Sequence, residues 1–551
     1  MPAIKKTLTV SIHDKARAYT IAVWIVVIAG IFLRLFQYFN DRSLWEDEIY
    51  LSTGLVKLSF GQLLHQALDF QQKAPIGYLL VVKFFTMLFG PREMSLRLFP
   101  LICGIASLFV FRKVARYFFD NTGTLVCMGI LAFAPPLVYH AVEAKQYAVE
   151  LFATILLLYT YTRYEDKTDI RSLVIWGIWG AVIAWFSYSS VFIMAGLAFT
   201  IALNYLVKKQ WETLFRLAIP FALWFGSFAV NYIIFTQKDA HTGWLVYFFV
   251  KHDAFMPLSG DAPRWLLNHF MGFFNYPLGL SWMVVYQKAI FQEILYRMAW
   301  VPIIFSLLGV YYLLKHNKKL LVLIVSTFFI VTIASIVKLY PFHERLTVFL
   351  APLTILLLAS GCEVVFTGRR FNNIWRWALV LLMLIGPAKN SFAEVLNTDL
   401  FGDYKKSYHR EAFTYLNDHF RPGDTVYVYW NDLPAWHLYK KIYPLKYSAF
   451  EGTDFRYSSH NFNEYFAGLD TELKPFMGKK RVWIVSNNYF DIEIGDYIGQ
   501  PEWYYENNDG VQRFDKWLLG KGQMLDEFKI NDEGAVSNIS IRLMDFSGKH
   551  N

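Results

Sequence analysis

Three acids in a row, Glu46, Asp47 and Glu48, stand between Trp45 and Tyr50, just beyond an apolar stretch long enough to cross a membrane. Charged groups at the edge of hydrocarbon are costly to hold and tend to be functional. A carboxylate there suits a general base, with a neighbour that binds substrate or holds the loop. The plain alternative is a solvated loop that orients the preceding helix. Further along, Lys73 precedes Pro75, which sets the turn into another apolar segment. That puts an ammonium at the depth of lipid phosphates; a snorkelling lysine would look the same. His140, Glu143 and Lys145 follow the pair Pro135-Pro136, and the i, i+4 spacing of Glu143 and Tyr147 would let both face one cavity. A fourth stretch, 338–345, carries His343 and Arg345 at the start of an apolar run. A guanidinium at that depth suits a phosphate, or simple anchoring at the interface.

These residues need elements to hold them, and the composition says where those elements lie. Of 551 residues, 55% are hydrophobic and 18% charged, with mean hydropathy +0.30. A soluble chain carries about 25% charge, so the excess apolar surface needs a bilayer. A cytosolic enzyme, a disordered scaffold and a secreted disulfide protein are excluded. Cys103, Cys127 and Cys362 all sit in apolar stretches and read as core residues. The net charge of +9 matters less than where the cations fall. Residues 172–207 hold no Asp, Glu, Lys or Arg, enough for two spans joined by a tight turn.

Lys5, Lys6, Lys15 and Arg17 precede the first apolar run, Ile21–Leu33, which places the N-terminus in the cytoplasm and reads as an uncleaved anchor. Ile76–Phe89 is short and carries Lys83, so it suits an interfacial helix. With that segment lying flat, every later basic cluster falls inside. The expected spans number eleven, near 20–38, 98–116, 123–139, 146–162, 172–189, 191–207, 215–235, 298–314, 320–337, 346–363 and 375–389. Loops 40–97 and 236–297 are then outside, as is everything after the last span. The acids and cations named above cluster at outer helix ends, where a lipid phosphate would lie.

The expected fold is a mainly α-helical polytopic membrane domain over 1–390, followed by a soluble extracytoplasmic α/β domain over 391–551. Glu411–Phe420 and Leu433–Lys441 read as helices, and 425–430 and 481–485 as strands, an alternation that argues for parallel strands. Asn431, Asp432 and Trp436 follow the first strand and are its candidates for a role. The long loop 236–297 holds His241, Trp244, His252, Asp253, Asp261, Arg264 and Trp265, with a helix expected over 265–274; its aromatics fit an interfacial belt or a lid. No cluster reads clearly as metal ligands, leaving His140 and His343 as the open possibility.

The layout resembles the polytopic C-type glycosyltransferases of the protein O-mannosyltransferase and lipid A aminoarabinose transferase superfamily, in their bacterial branch. Four pieces carry the resemblance: Trp-Glu-Asp-Glu at 45–48; the stretch 73–78 with Phe89-Gly-Pro-Arg-Glu-Met-Ser-Leu-Arg-Leu-Phe-Pro100; 140–148, similar to the family's Glu-Ala-Arg-x-Tyr-Ala; and 340–352. Lys145 stands where the family has Arg. The resemblance implies an enzyme of the inner membrane that moves a hexosyl or pentosyl group from a polyprenyl-phosphate donor to a hydroxyl of a glycolipid, glycan or protein, inverting the anomeric centre. It implies Asp47 as base with Glu48 as its supporting neighbour, and Lys73 on the donor phosphate. Beside these, Glu143 is a catalytic candidate, Arg345, Lys145 and His343 are phosphate-binding candidates, and Trp45, Tyr50 and Tyr147 line the substrate. A departing monophosphate needs cations rather than a metal, so no cofactor is expected, and no nucleic-acid partner. A lipid-linked sugar flippase, or a transferase or ligase using diphosphate-linked glycans, remains the alternative. The spans show no obvious internal repeat of the kind transporters carry.

Overall fold

The computed structural model describes residues 2–236, 243–280, 300–367, 373–402, 405–488, 500–507, 509–530 and 538–548. His241 lies outside them, and the description of Trp244 is limited to its backbone. Seven helices among these residues are long and apolar enough to cross a membrane: Arg17–Asn40, Glu93–Phe118, Ser190–Val207, Trp211–Phe235, Lys318–Ile336, Glu344–Phe366 and Ile374–Leu396. All seven coincide with expected spans. Three more expected spans fall on shorter apolar helices, Asn121–Phe133, Ile170–Ile183 and Val301–His316. The remaining one, Tyr147–Tyr164, is long enough but less apolar, because it carries Glu150, Arg163 and several tyrosines. The chain is an integral membrane protein, mainly α-helical.

Small residues bring these helices together, as expected where lipid tails offer no hydrophobic drive and close van der Waals contact must hold the bundle. At Gly180 an added Cβ would lie 2.1 Å from the indole nitrogen of Trp224, and that indole packs edge-on against the fully buried Trp176 at 5.2 Å. At Gly104 a Cβ would meet Ala141 at 2.5 Å, so the helix Glu93–Phe118 lies directly against the stretch that carries Glu143.

The helix Ile76–Phe89 spans 14 residues from its N-cap Pro75. It exposes Phe84, Met87, Leu88 and Phe89, while Lys83 is buried. The Lys83 ammonium donates to the carbonyl of Leu55 at 2.9 Å and reaches that of Val56 at 3.4 Å. Those carbonyls belong to the last turn of the helix Glu46–Lys57, whose unpaired oxygens and negative dipole end favour a cation. Lys83 therefore braces the helix that carries Asp47.

Beyond Leu396 the chain builds a five-stranded sheet from β1 (Thr425–Val428), β2 (Phe450–Glu451), β3 (Val482–Asn487), β4 (Gln523–Glu527) and β5 (Ile539–Asp545), in the order β2-β1-β3-β5-β4. The sheet is mixed, which corrects the parallel-stranded expectation. β1 runs parallel to β2 and β3, but β5 is antiparallel to both β3 and β4. The parallel strands are joined through helices, as parallel connections require. Only residues 528–538 separate β4 from β5, fewer than the dozen or more that a parallel crossover needs, and so short a connection goes with antiparallel pairing.

Alternation along the strands divides the core. Val426, Val428, Trp483, Val485, Ile541 and Leu543 face the helices His409–His419 and Leu433–Ile442. Tyr427, Tyr429, Ile484 and Met544 face Phe462–Leu473 and Gly510–Leu519. The first of these cores does not end at the sheet. It runs on through Leu44, Ile49, Leu51, Leu55, Ala74 and Tyr78, so the α/β layer and the loop that follows the first membrane helix share one apolar interior.

Candidate active site

The helix Glu46–Lys57 points its N-terminal end at the segment 141–146, and consecutive acids on that end have opposite fates. Glu48 is fully buried. Its Oε2 accepts from the backbone N–H of Trp45 at 3.2 Å, capping the helix, and from Arg97 Nη2 at 2.6 Å. Its Oε1 accepts from Arg97 Nε at 2.9 Å and from the N–H of Ala144 at 2.7 Å. Arg97 also donates to the carbonyls of Arg42 and Ser43 at 2.6 and 3.3 Å. Glu48 and Arg97 thus tie three stretches together, 42–45, 93–97 and 144. Both oxygens of Glu48 are thus committed internally.

Asp47, one position earlier, faces outward and pairs with Arg345, whose Nη1 donates to its Oδ2. The two side chains remain 24% and 28% exposed, so an incoming molecule can reach both. Burial opposes the charge on Asp47, but the nearby guanidinium of Arg345 and the ammonium of Lys145 outweigh it and hold its pKa below the ordinary carboxylate range. Arg345 sits in a short 3-10 turn, Glu344–Leu350, that leads into the helix Ala351–Thr367. Its guanidinium carbon lies 5.6 Å from the Trp45 ring and 5.8 Å from the Tyr147 ring.

Glu143 is buried behind these rings. Its Oε1 accepts from the Trp45 indole N–H at 3.1 Å and its Oε2 lies 2.6 Å from His140 Nδ1. His140 Nε2 pairs in turn with the hydroxyl of Tyr276. Burial would raise the pKa of Glu143, but His140, Arg345 and Lys406 bring it down to about 2. Glu143 is therefore a fixed anion that orients Trp45 and His140. The helical spacing invoked for Glu143 and Tyr147 does not exist: 141–146 is a run of turns and bends, and Tyr147 is the first residue of its helix. The two still meet at one place, because the Tyr147 ring packs edge-on against His140 at 4.9 Å.

Lys145 donates to Gln72 Oε1 at 2.7 Å. Burial lowers its pKa, and Asp47 works against that shift. Through Gln72 the stretch carrying Lys73 joins the site. Lys73 and Gln72 line a small cavity whose apolar wall includes Leu68, Ile76, Leu79 and Phe235. The turn is held by the N–H of Gly77, which donates to the Trp185 carbonyl at 2.9 Å, and by the Tyr188 hydroxyl, which donates to that of Ala74 at 2.9 Å.

Two candidates lie elsewhere. Tyr50 donates to Glu46 and stacks on Phe70 at 4.9 Å, which takes it to the turn at 69–71 and away from the rings around Arg345. His343 packs against the 243–255 stretch, 5.8 Å from the His252 ring and 6.2 Å from that of Phe249. Burial, His252 and Arg345 lower its pKa against the pull of Glu344, leaving a neutral imidazole at neutral pH. Among the described residues no group of three or more His, Cys, Asp or Glu is arranged to hold a metal ion, and both ring nitrogens of His140 already have protein partners. In the long loop the expected helix appears as Ala262–Asn275, with Trp265 buried and its indole donating to the Asp253 carbonyl at 2.7 Å.

The C-terminal candidates are likewise internal. Asn431 bridges to Asn487 at the end of β3, Asp432 accepts from His409 at 2.9 Å, and Trp436 donates to Glu451 at 3.1 Å. Four site residues were not singled out from the sequence: Arg97, Tyr139, Tyr276 and Lys406. Arg97 had a signal, since it is the one charge in the apolar stretch from Met94 to Phe111.

Residues 73–235 match the dolichyl-phosphate-mannose-protein mannosyltransferase family model. This stretch includes Lys73, Arg97, Glu143, Lys145 and Tyr147. Similar solved structures include ArnT from Cupriavidus metallidurans bound to undecaprenyl phosphate, at 12% identity and TM-score 0.49 over 94% of this chain and 98% of that one. The archaeal oligosaccharyltransferase AglB from Archaeoglobus fulgidus, in complex with an inhibitory peptide and a dolichol-phosphate, gives 12% identity and TM-score 0.46 over 93% and 73%. No curated protein sequence matches the chain.

Proposed function

We propose that this chain is an inverting glycosyltransferase that moves a sugar from a polyprenyl-phosphate donor to a hydroxyl acceptor at the outer face of the membrane. The observation that carries the reading is the Asp47–Arg345 pair, an accessible carboxylate and guanidinium at the mouth of an otherwise closed cluster. The match at 73–235 to a family described by a dolichyl-phosphate sugar supports it. So does the distribution of basic residues, which favours this end of the helices lying outside.

In this reading Asp47 takes the proton of the acceptor hydroxyl as its oxygen bonds to the anomeric carbon. The bond from that carbon to the donor phosphate breaks on the opposite side, and the lipid phosphate leaves as a dianion. Arg345, Lys145 and Lys73 meet the developing charge. Arg345 cannot serve phosphate and Asp47 fully at once. As the donor binds, it draws Arg345 away, and Asp47 loses the partner that holds its pKa down. A carboxylate with a higher pKa is the better base.

A pH dependence follows. Asp47 works ionised, so activity falls as pH drops through its pKa. The acid limb of kcat/KM, which reports the free enzyme, should lie below the ordinary carboxylate range. The limb of kcat, which reports the donor complex, should lie higher by about one unit, the scale of one close charge. Coincident limbs in the two profiles would remove the exchange of Arg345.

The reading itself is tested by incubating the purified protein with a panel of polyprenyl-phosphate sugars and hydroxyl acceptors and identifying products by mass spectrometry. Transfer from at least one such donor is expected. Transfer only from diphosphate-linked donors, or none from any, overturns it.

A further inference from the structure

Lys406 comes from the chain that follows the last membrane helix, yet its ammonium lies 4.9 Å from the centre of the Trp45 ring and 5.0 Å from that of Tyr139. The guanidinium of Arg345 approaches the same Trp45 ring at 5.6 Å. Both cations act on Glu143, and Arg345 with Lys145 acts on Asp47. Among the described residues, Arg345, Lys145 and Lys406 thus stand around Asp47 and Glu143, the second of which is engaged with His140 and the Trp45 indole. Cations set this close together at the edge of a low-dielectric body reinforce one another's attraction for an added anion.

The backbone beside Lys406 is locked in place. Ser407 Oγ lies 2.9 Å from His409 Nδ1, and His409 Nε2 lies 2.9 Å from Asp432 Oδ1; all three side chains are buried. The N–H of Arg410 donates to Ser43 Oγ at 3.1 Å and its guanidinium pairs with Asp41 at 3.1 Å. Tyr439 accepts from the N–H of Leu44 at 3.0 Å. The segment that presents Lys406 and the segment that presents Trp45 and Asp47 are thus pinned to each other from both sides. Lys405, the next residue back, turns instead to Glu411 at 3.0 Å and to the Tyr408 ring at 4.1 Å.

We infer that Lys406 is a ligand of the donor's phosphate, so that the C-terminal α/β layer completes the phosphate site of the membrane domain. This rests on the proposed use of a polyprenyl-phosphate donor. It gives the layer a direct part in the chemistry, through one charge delivered over Trp45.

The test measures binding of undecaprenyl phosphate and of neutral undecaprenol to the purified full-length protein, wild type and variants. Wild type should prefer the phosphate over the alcohol. K406Q should bind the phosphate about tenfold more weakly, the scale of one charge-assisted contact, with its affinity for the alcohol and its thermal midpoint unchanged. K406R should restore most of the loss, and K405Q should bind as wild type. Unchanged phosphate affinity in K406Q, or an equal loss for the alcohol, overturns the role of Lys406. A wild type that binds both lipids alike overturns the underlying reading instead, so the two failures are separable.

Discussion

Replacing Asp47 with asparagine should lower kcat by about 10²- to 10⁴-fold, the usual contribution of a positioned base, while donor affinity stays level or rises. Asparagine keeps the size of the side chain and an oxygen that can accept from Arg345, so the local packing survives. It cannot take a proton from an acceptor hydroxyl. Arg345, no longer held by a full negative charge, is freer to meet the phosphate. Steady-state rates together with direct donor binding check both halves of the expectation. Turnover near the wild-type level would remove Asp47 from the mechanism.

Changing Glu48 to glutamine, one residue away, should produce a different failure. The side chains of Glu48 and Arg97 are 0% and 3% exposed, so the mutation leaves a buried guanidinium without its counter-charge. Breaking such a pair costs about 3–5 kcal/mol, and here the damage spreads, because Glu48 also receives the N–H groups of Trp45 and Ala144. Thermal unfolding of the purified protein should show a midpoint lower by several degrees, and activity should fall with the folded fraction. A double variant, Glu48→Gln with Arg97→Met, removes the orphaned charge and should recover much of the lost stability. A Glu48→Gln protein as stable as wild type would mean that the pair does not organise the site.

The contrast between these neighbours shows what the sequence could and could not convey. Three adjacent acids at the end of an apolar run identify a place that must be doing something, since the charge is expensive there. They do not say which acid turns inward. That choice depends on Arg97, 49 positions away, and on the Ala144 amide, 96 positions away, and no local pattern encodes either meeting. The membrane helices were legible because hydropathy is a local property summed over about 20 residues. The antiparallel return of β5 was not, because strand direction is decided by the connection between strands rather than by the strand's own residues. The case of Tyr147 is instructive in another way: it packs on His140, the partner of Glu143, by starting a helix rather than by sharing one with Glu143.

Lys406 stayed hidden for a related reason. Read along the chain, Lys405 and Lys406 are an unremarkable basic pair after a membrane helix, of the kind found at any interface. Their difference appears only when the loop around Ser43 and Leu44 is seen lying under the helices His409–His419 and Leu433–Ile442.

The apolar interior shared by that loop and the α/β layer has a consequence for how such a chain can be recombined. Its C-terminal part is not an interchangeable module. A graft of a foreign layer onto these membrane helices would need to bring its own equivalents of the Tyr439 hydroxyl, the Arg410 guanidinium and the Ala412, Phe413 and Trp436 surface. The seam for a working chimaera therefore lies within neither part. It has to follow the contact face itself, with residues 41–55 and 405–443 exchanged together.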